Sequence, residues 1–280
     1  MALGGAVAAG QSDLDRARQL HERTNYDASL QILLPLAKEA GADQIGEVHL
    51  LIGRNYFMLG EYKKAGDAFE RAIAASPNKS EYYHWLGKAF GRRAETSNPL
   101  SAPVYASKAR QHFERAVALD SRNIEAINDL FSYYVEAPGF LGGGLDKAAA
   151  LTPKIKAVDP VEYHYAEATI AEHKKEWNNA EEHFRRAAEL APRQVGRLID
   201  LARFLSKQGR LNESDAVFAQ AEKVAPNNPR ILFERASSYI RNKQNLDTAR
   251  TLLEKYIKSS LGPEDPSRAE AQKLLKQAGA

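Results

Sequence analysis

The side chains that could do chemistry are few and scattered. The 280-residue chain has no cysteine, which excludes disulfides, thiolate nucleophiles and cysteine-bound zinc. His21-Glu22 opens like a zinc-protease helix, where a second histidine four positions on would complete the metal pair and the glutamate would act as base; Asn25 stands there instead. His164 and His173 are too far apart to sit side by side on one helix, and His183 belongs to the following helix, so these three read as solvated or rim histidines. Pro138 to Gly144 is a glycine-rich run before a helix that starts near Leu145 or Asp146. Such turns can hold phosphate through backbone N–H groups. No Gly-Lys-Ser/Thr follows, and Asp146 puts negative charge where a phosphate would sit, so Asp146 suits helix capping or the positive end of the helix dipole. No metal or cofactor is predicted.

The balance of the chain agrees with a noncatalytic role. Lys and Arg number 39 against 36 Asp and Glu, giving a net charge of +3 with both signs mixed along the sequence. Neither a nucleic-acid-binding tail nor an acidic or basic block is present. Apolar residues make up 44% and charged residues 27%, ordinary for a chain with ample solvated surface. No stretch is long and apolar enough to span a bilayer. The uncharged start, residues 1–9, contains Ala6-Val7-Ala8, a small-x-small pattern. It reads either as the stump of an export signal, placing the protein outside the cytoplasm, or as an Ala/Gly leader on a cytoplasmic protein.

What positions the remaining residues is a repeat. From Gly46 to Lys79 the chain carries Ile52-Gly53, Tyr56, Gly60, Tyr62, Ala65, Phe69, Ala72 and Pro77; Ala180, Phe184, Ala187 and Pro192 repeat the second half, and Ser214, Phe218, Ala221 and Pro226 repeat it again. Phe184 to Phe218 and Pro192 to Pro226 are each 34 residues. These residues resemble the tetratricopeptide repeat, a helix–turn–helix unit, of bacterial type. Small residues (Gly53, Gly87, Ala202) mark helix crossings, Phe69, Phe113, Phe184 and Phe218 fill the space between pairs, and Gly60 and Gly209 suit left-handed turns. Two repeats carry insertions: about ten residues around 94–105, with Pro99, Leu100, Pro103 and Val104, and about five at the glycine-rich run, with Phe140 and Leu141. A last amphipathic segment, Ala271, Leu274, Leu275 and Ala278, follows Pro266 with Ser267 as its N-cap.

The resemblance implies an all-α, right-handed superhelical α-solenoid: seven repeats over 10–262, then a capping helix over 263–280. It implies a groove lined by the first helix of each pair, holding a peptide or helix of a partner protein. Carried onto this chain, the groove positions are Leu14, Arg18 and His21; Leu50, Arg54 and Phe57; His84, Lys88 and Arg92; Asn128 and Ser132; Tyr165, Thr169 and His173; Ile199 and Arg203; Phe233 and Ser237. Arg18, Arg54, Lys88 and Arg92 make a basic run suited to an acidic peptide. One subfamily clamps a C-terminal carboxylate with lysines and asparagines on successive first helices; here Leu50, Leu51, Glu125 and Asp129 stand at those places, so that recognition is not implied. The two insertions, in adjacent repeats, are expected to pack together as a lip with Phe140 and Leu141 as its apolar part. The function expected is a noncatalytic scaffold or adaptor; the alternative is an exported small-molecule-binding or transport-accessory protein with its ligand beneath the lip.

Overall fold

The computed structural model describes residues 3–262 and 265–279, and their side chains from residue 12 onward. Met1, Ala2, Pro263, Glu264 and Ala280, parts of the segments expected as leader and cap, lie outside the described residues. Those described form sixteen α-helices and one 3-10 turn, without a strand among them. They divide into two compact units, 1–158 and 159–280.

The first unit holds four helical pairs. These are α1 (Leu3–Glu22) with α2 (Tyr26–Glu39), α3 (Ala42–Met58) with α4 (Tyr62–Ala75), and α5 (Ser80–Thr96) with α6 (Ala102–Leu119). In the fourth, α7 (Ile124–Glu136) faces two short helices, α8 (Leu145–Ala149) and α9 (Thr152–Val158). The first helix begins inside the stretch read as a leader. The second unit holds α10 (Pro160–His173) with α11 (Trp177–Leu190), α12 (Val195–Lys207) with α13 (Leu211–Val224), α14 (Pro229–Asn242) with α15 (Leu246–Lys258), and α16 (Arg268–Ala278). The chain is thus an all-α solenoid of seven helix–turn–helix repeats and a terminal helix.

Two of the pairs, α3 with α4 and α5 with α6, close by the same sterics. A Cβ on Gly53 would lie 2.4 Å from the Phe69 ring, and one on Gly87 would lie 2.6 Å from Phe113, so glycine lets the second-helix aromatic press against the first-helix backbone. The ring then reaches the next pair: Phe69 stacks on Trp85 at 6.0 Å and Phe184 meets Phe204 at 5.2 Å. The turns inside the pairs need a left-handed residue, which Gly60 and Gly209 supply at φ +77° and +76°. Thr24, Lys175 and Lys243 adopt the same region without being glycine. At the end of the chain Ser267 caps α16, its Oγ accepting from Glu270 N–H. Buried Ala271 and Ala278 set the helix against α14 and α15, covering their apolar faces.

The insertions differ from the expectation. The residues around 94–105 do not loop out: α5 and α6 lengthen to 17 and 18 residues, leaving a turn at 97–101. The second insertion forms the 3-10 turn Gly139–Leu141, seated on α6. Of the two places expected for Asp146, it takes the second: Gly144 occupies the N-cap position, and Asp146 lies in the first turn of α8, at the positive end of the helix dipole.

Candidate functional site

In the first unit, α1, α3 and α5 present one face to a cavity of about 300 Å³, lined by Arg18, His21, Glu22, Glu47, Leu50, Leu51, Arg54, Lys79, Glu81 and Tyr82. Four of the positions read from the sequence (Arg18, His21, Leu50 and Arg54) meet here. A buried network holds the cavity wall in place. Ser29 Oγ donates to Ala17 O at 2.8 Å, Asn55 Nδ2 donates to Ser29 Oγ at 2.9 Å, and His21 Nδ1 donates to Asn55 Oδ1 at 2.8 Å. This chain joins α1, α2 and α3, and its buried members Ser29 and Asn55 leave no side-chain polar atom unpaired. Burial is the main reason that His21 has its pKa lowered, with the Arg54 charge adding to it against the Asn55 bond. Burial raises the Tyr82 phenol, helped by Glu47 and Glu81.

Beside the cavity lies an aromatic platform. Trp85, partly exposed on α5, meets Phe57 edge-on at 5.5 Å and stacks on Phe69. The Arg54 guanidinium sits 5.0 Å from the Trp85 ring centre and the Lys88 ammonium 4.8 Å. Lys88 also reaches Phe57, at 5.8 Å. Arg54 approaches Glu81 only to 4.0 Å, and its buried Nε has no hydrogen-bond partner. Arg18 is held more tightly, by Asp15 at 3.0 Å and by Glu47. Arg92 bonds Glu95 at 2.7 Å and lies over Tyr62. Two cations therefore share one indole, and Glu81 approaches only one of them, at 4.0 Å, an arrangement that fits an incoming acidic group.

Several expected groove residues lie elsewhere. Leu14, Phe57, His84, Ile199 and Phe233 are buried, so they support the face from beneath. His84, 2% exposed, lies between α5 and α7 with its Nε2 2.7 Å from Asp129 Oδ2. Asn128 is half-buried and Ser132 exposed on α7.

In the second unit the corresponding face is occupied by its own charges. Arg197 lies over Tyr165 at 4.0 Å and bonds both Glu162 and Asp200 at 2.9 Å; Arg203 pairs with Glu234 at 3.3 Å. Burial raises the Asp200 pKa despite Arg197. Thr169 donates to Tyr165 O, Ser237 donates to Phe233 O, and His173 is exposed. His164 and His183, assigned to separate helices, are brought together with Nδ1 atoms 2.9 Å apart. Phe140, 84% exposed, stands out on the 3-10 turn, and Leu141 beside it is half-buried.

Trp85 and Glu81 were missed in the sequence. The signal was present: Glu81, Trp85 and Lys88 follow i, i+4, i+7 spacing on one helix face.

Comparison with known proteins agrees with this architecture. Residues 46–79 and 173–232 each match a sequence profile of the tetratricopeptide repeat. A tetratricopeptide-repeat protein from Parabacteroides merdae is similar over 98% of this chain and 100% of its own, with a TM-score of 0.73 at 11% identity. A thermophilic one from Thermus thermophilus covers 70% of this chain and 98% of its own, with a TM-score of 0.55 at 22% identity. PilF of Pseudomonas aeruginosa covers 84% and 99%, with a TM-score of 0.53 at 17% identity. No curated protein matches the chain in sequence. Residues 46–79 and 173–232 are thus tetratricopeptide repeats, units built in general for protein–protein interaction, and the chain has the fold of proteins made of them.

Proposed function

We propose that this protein is a noncatalytic scaffold whose first unit binds an extended, carboxylate-bearing peptide of a partner across α1, α3 and α5. The observation that carries the reading is the Trp85 platform, where the Arg54 and Lys88 charges rest on one ring and the ion pair of Arg54 with Glu81 is long, at 4.0 Å. Arginine offers a carboxylate two parallel N–H donors, and lysine adds a point charge. Leu50 and Leu51 give the cavity an apolar floor. Arg18 and Arg92 flank the platform, each already paired, with Asp15 and Glu47 and with Glu95. The face of the second unit favours this location, since its arginines are already committed to Glu162, Asp200 and Glu234.

The test is an immobilised array of acidic, neutral and basic peptides probed with the wild-type chain and with Arg54→Glu/Lys88→Glu. Wild type should retain acidic peptides, and the double reversal should weaken them by at least about tenfold, because like charges then face each other. Equal retention by both proteins would reject the groove.

A further inference from the structure

The first-helix face of the first unit carries a pair of cations on one side of α5 and a pair of acids on the other. On the α3 side lie Arg54 and Lys88, both leaning onto Trp85. On the α7 side lie Glu125 and Asp129, one turn apart and therefore on one face of α7. Asp129 is fixed by the buried His84, which also has Glu125 Oε2 at 3.9 Å from its Nδ1. His84 is one turn before Lys88 on α5, so the acidic pair flanks the same helix that carries Lys88 and the Trp85 ring. Lys88 does not turn to these acids; its ammonium stays over Phe57 and Trp85. The Glu125 side chain is 78% exposed, open to a ligand.

We infer that the peptide bound here is bipolar, with an acidic side chain received by Arg54 and Lys88 and a basic side chain, about three residues away, received by Glu125 and Asp129. The inference rests on the peptide-binding reading above and adds the ligand's charge order. The spacing follows from packing. The cations rest over Trp85 on α5 and the acids stand on α7, one helix further on. Neighbouring helix axes lie about 8–10 Å apart, and an extended chain advances about 3.3 Å per residue, so a peptide crossing from α5 to α7 meets the two signs about three residues apart. A uniformly acidic peptide satisfies one half of this face and is repelled by the other. The charge order thus selects among acidic partners, a selection that Arg54 and Lys88 alone do not make.

The experiment uses the full chain and three synthetic, end-blocked decapeptides in a fluorescence anisotropy titration. One carries Glu followed three positions later by Lys, one carries Lys followed by Glu, and one carries Glu with Gln in place of Lys. The expected result is that one bipolar order binds at least about threefold tighter than the Glu-only peptide, and that Glu125→Gln, at an exposed position, removes the advantage. Asp129→Asn, which keeps a hydrogen-bonding group beside His84, reduces it in the same direction. If the Glu-only peptide binds as tightly as both bipolar ones, or if the advantage survives both substitutions, the bipolar assignment is wrong while the peptide groove stands. If none of the three binds, both fall.

Discussion

A methyl group at residue 53 would lie 2.4 Å from the Phe69 ring, closer than any relaxed contact. Gly53→Ala should therefore destabilise the first unit by about 1–3 kcal/mol, the usual cost of overpacking a core. Urea unfolding measures it, and adding Phe69→Leu should recover part of the loss. At this scale the sequence was legible where sterics repeat: Gly53 and Gly87 mark helix crossings and Phe69 and Phe113 fill the space between pairs, but the spacing does not say that each glycine faces the phenylalanine of its own pair. The groove face was less legible, for a geometric reason. One residue turns about 100° around a helix, so a register that begins at His84 takes a buried imidazole and passes over Trp85. Phe57, Leu14, Ile199 and Phe233 were misplaced in the same way, because a groove position and a core position differ by one step. The turn residues show the complementary limit. Gly60 and Gly209 announce a positive φ, whereas Thr24, Lys175 and Lys243 adopt it where nothing in the residue type says so.

Among the elements, the insertions separate what spacing can tell from what it cannot. Counting from Phe69 to Phe113 gives the size of the first insertion but not its form, and the chain absorbs it by lengthening α5 and α6. The second is a built turn. Tyr133 donates to Leu141 O at 2.8 Å, Lys147 to Gly142 O at 2.9 Å, and Gly144 N–H to Tyr134 O at 2.7 Å. A Cβ on Gly143 would fall 1.8 Å from Ala137 O, a backbone atom that cannot swing aside. Gly143→Ala should cost about 2 kcal/mol or more and speed amide exchange across residues 137–147, as followed by mass spectrometry. Unchanged exchange there would show that the turn is not held as described.

For the molecule as a whole, pH should act through single groups whose contributions differ in sign. His21, His49 and His112, all in the first unit, have pKa values lowered chiefly by burial. A histidine with a lowered folded value binds its proton more readily when unfolded. The stability it contributes is intact above about pH 6.5 and falls as pH drops through that value towards the folded one. Asp200 in the second unit is raised by burial, so its penalty is present at neutral pH and is relieved as pH falls through the raised value towards the ordinary carboxylate range. Thermal unfolding by circular dichroism at pH 7.5 and 5.5 should show wild type losing more than His112→Gln over that interval; an equal loss would remove His112 from the account.

The seven-repeat architecture could be read almost throughout from the recurring small–aromatic–small–proline pattern, because every pair solves one packing problem. The face proposed to bind could not, because its charges depend on which neighbours close on them in space. Its most direct test uses Trp85 itself, in a Trp177→Phe background that leaves Trp85 as the sole indole of the chain. Titration with a glutamate-bearing peptide should shift the indole emission saturably, and Arg54→Glu/Lys88→Glu should abolish the shift. A peptide that binds with no change at Trp85, and equally well to the double variant, would contradict the account.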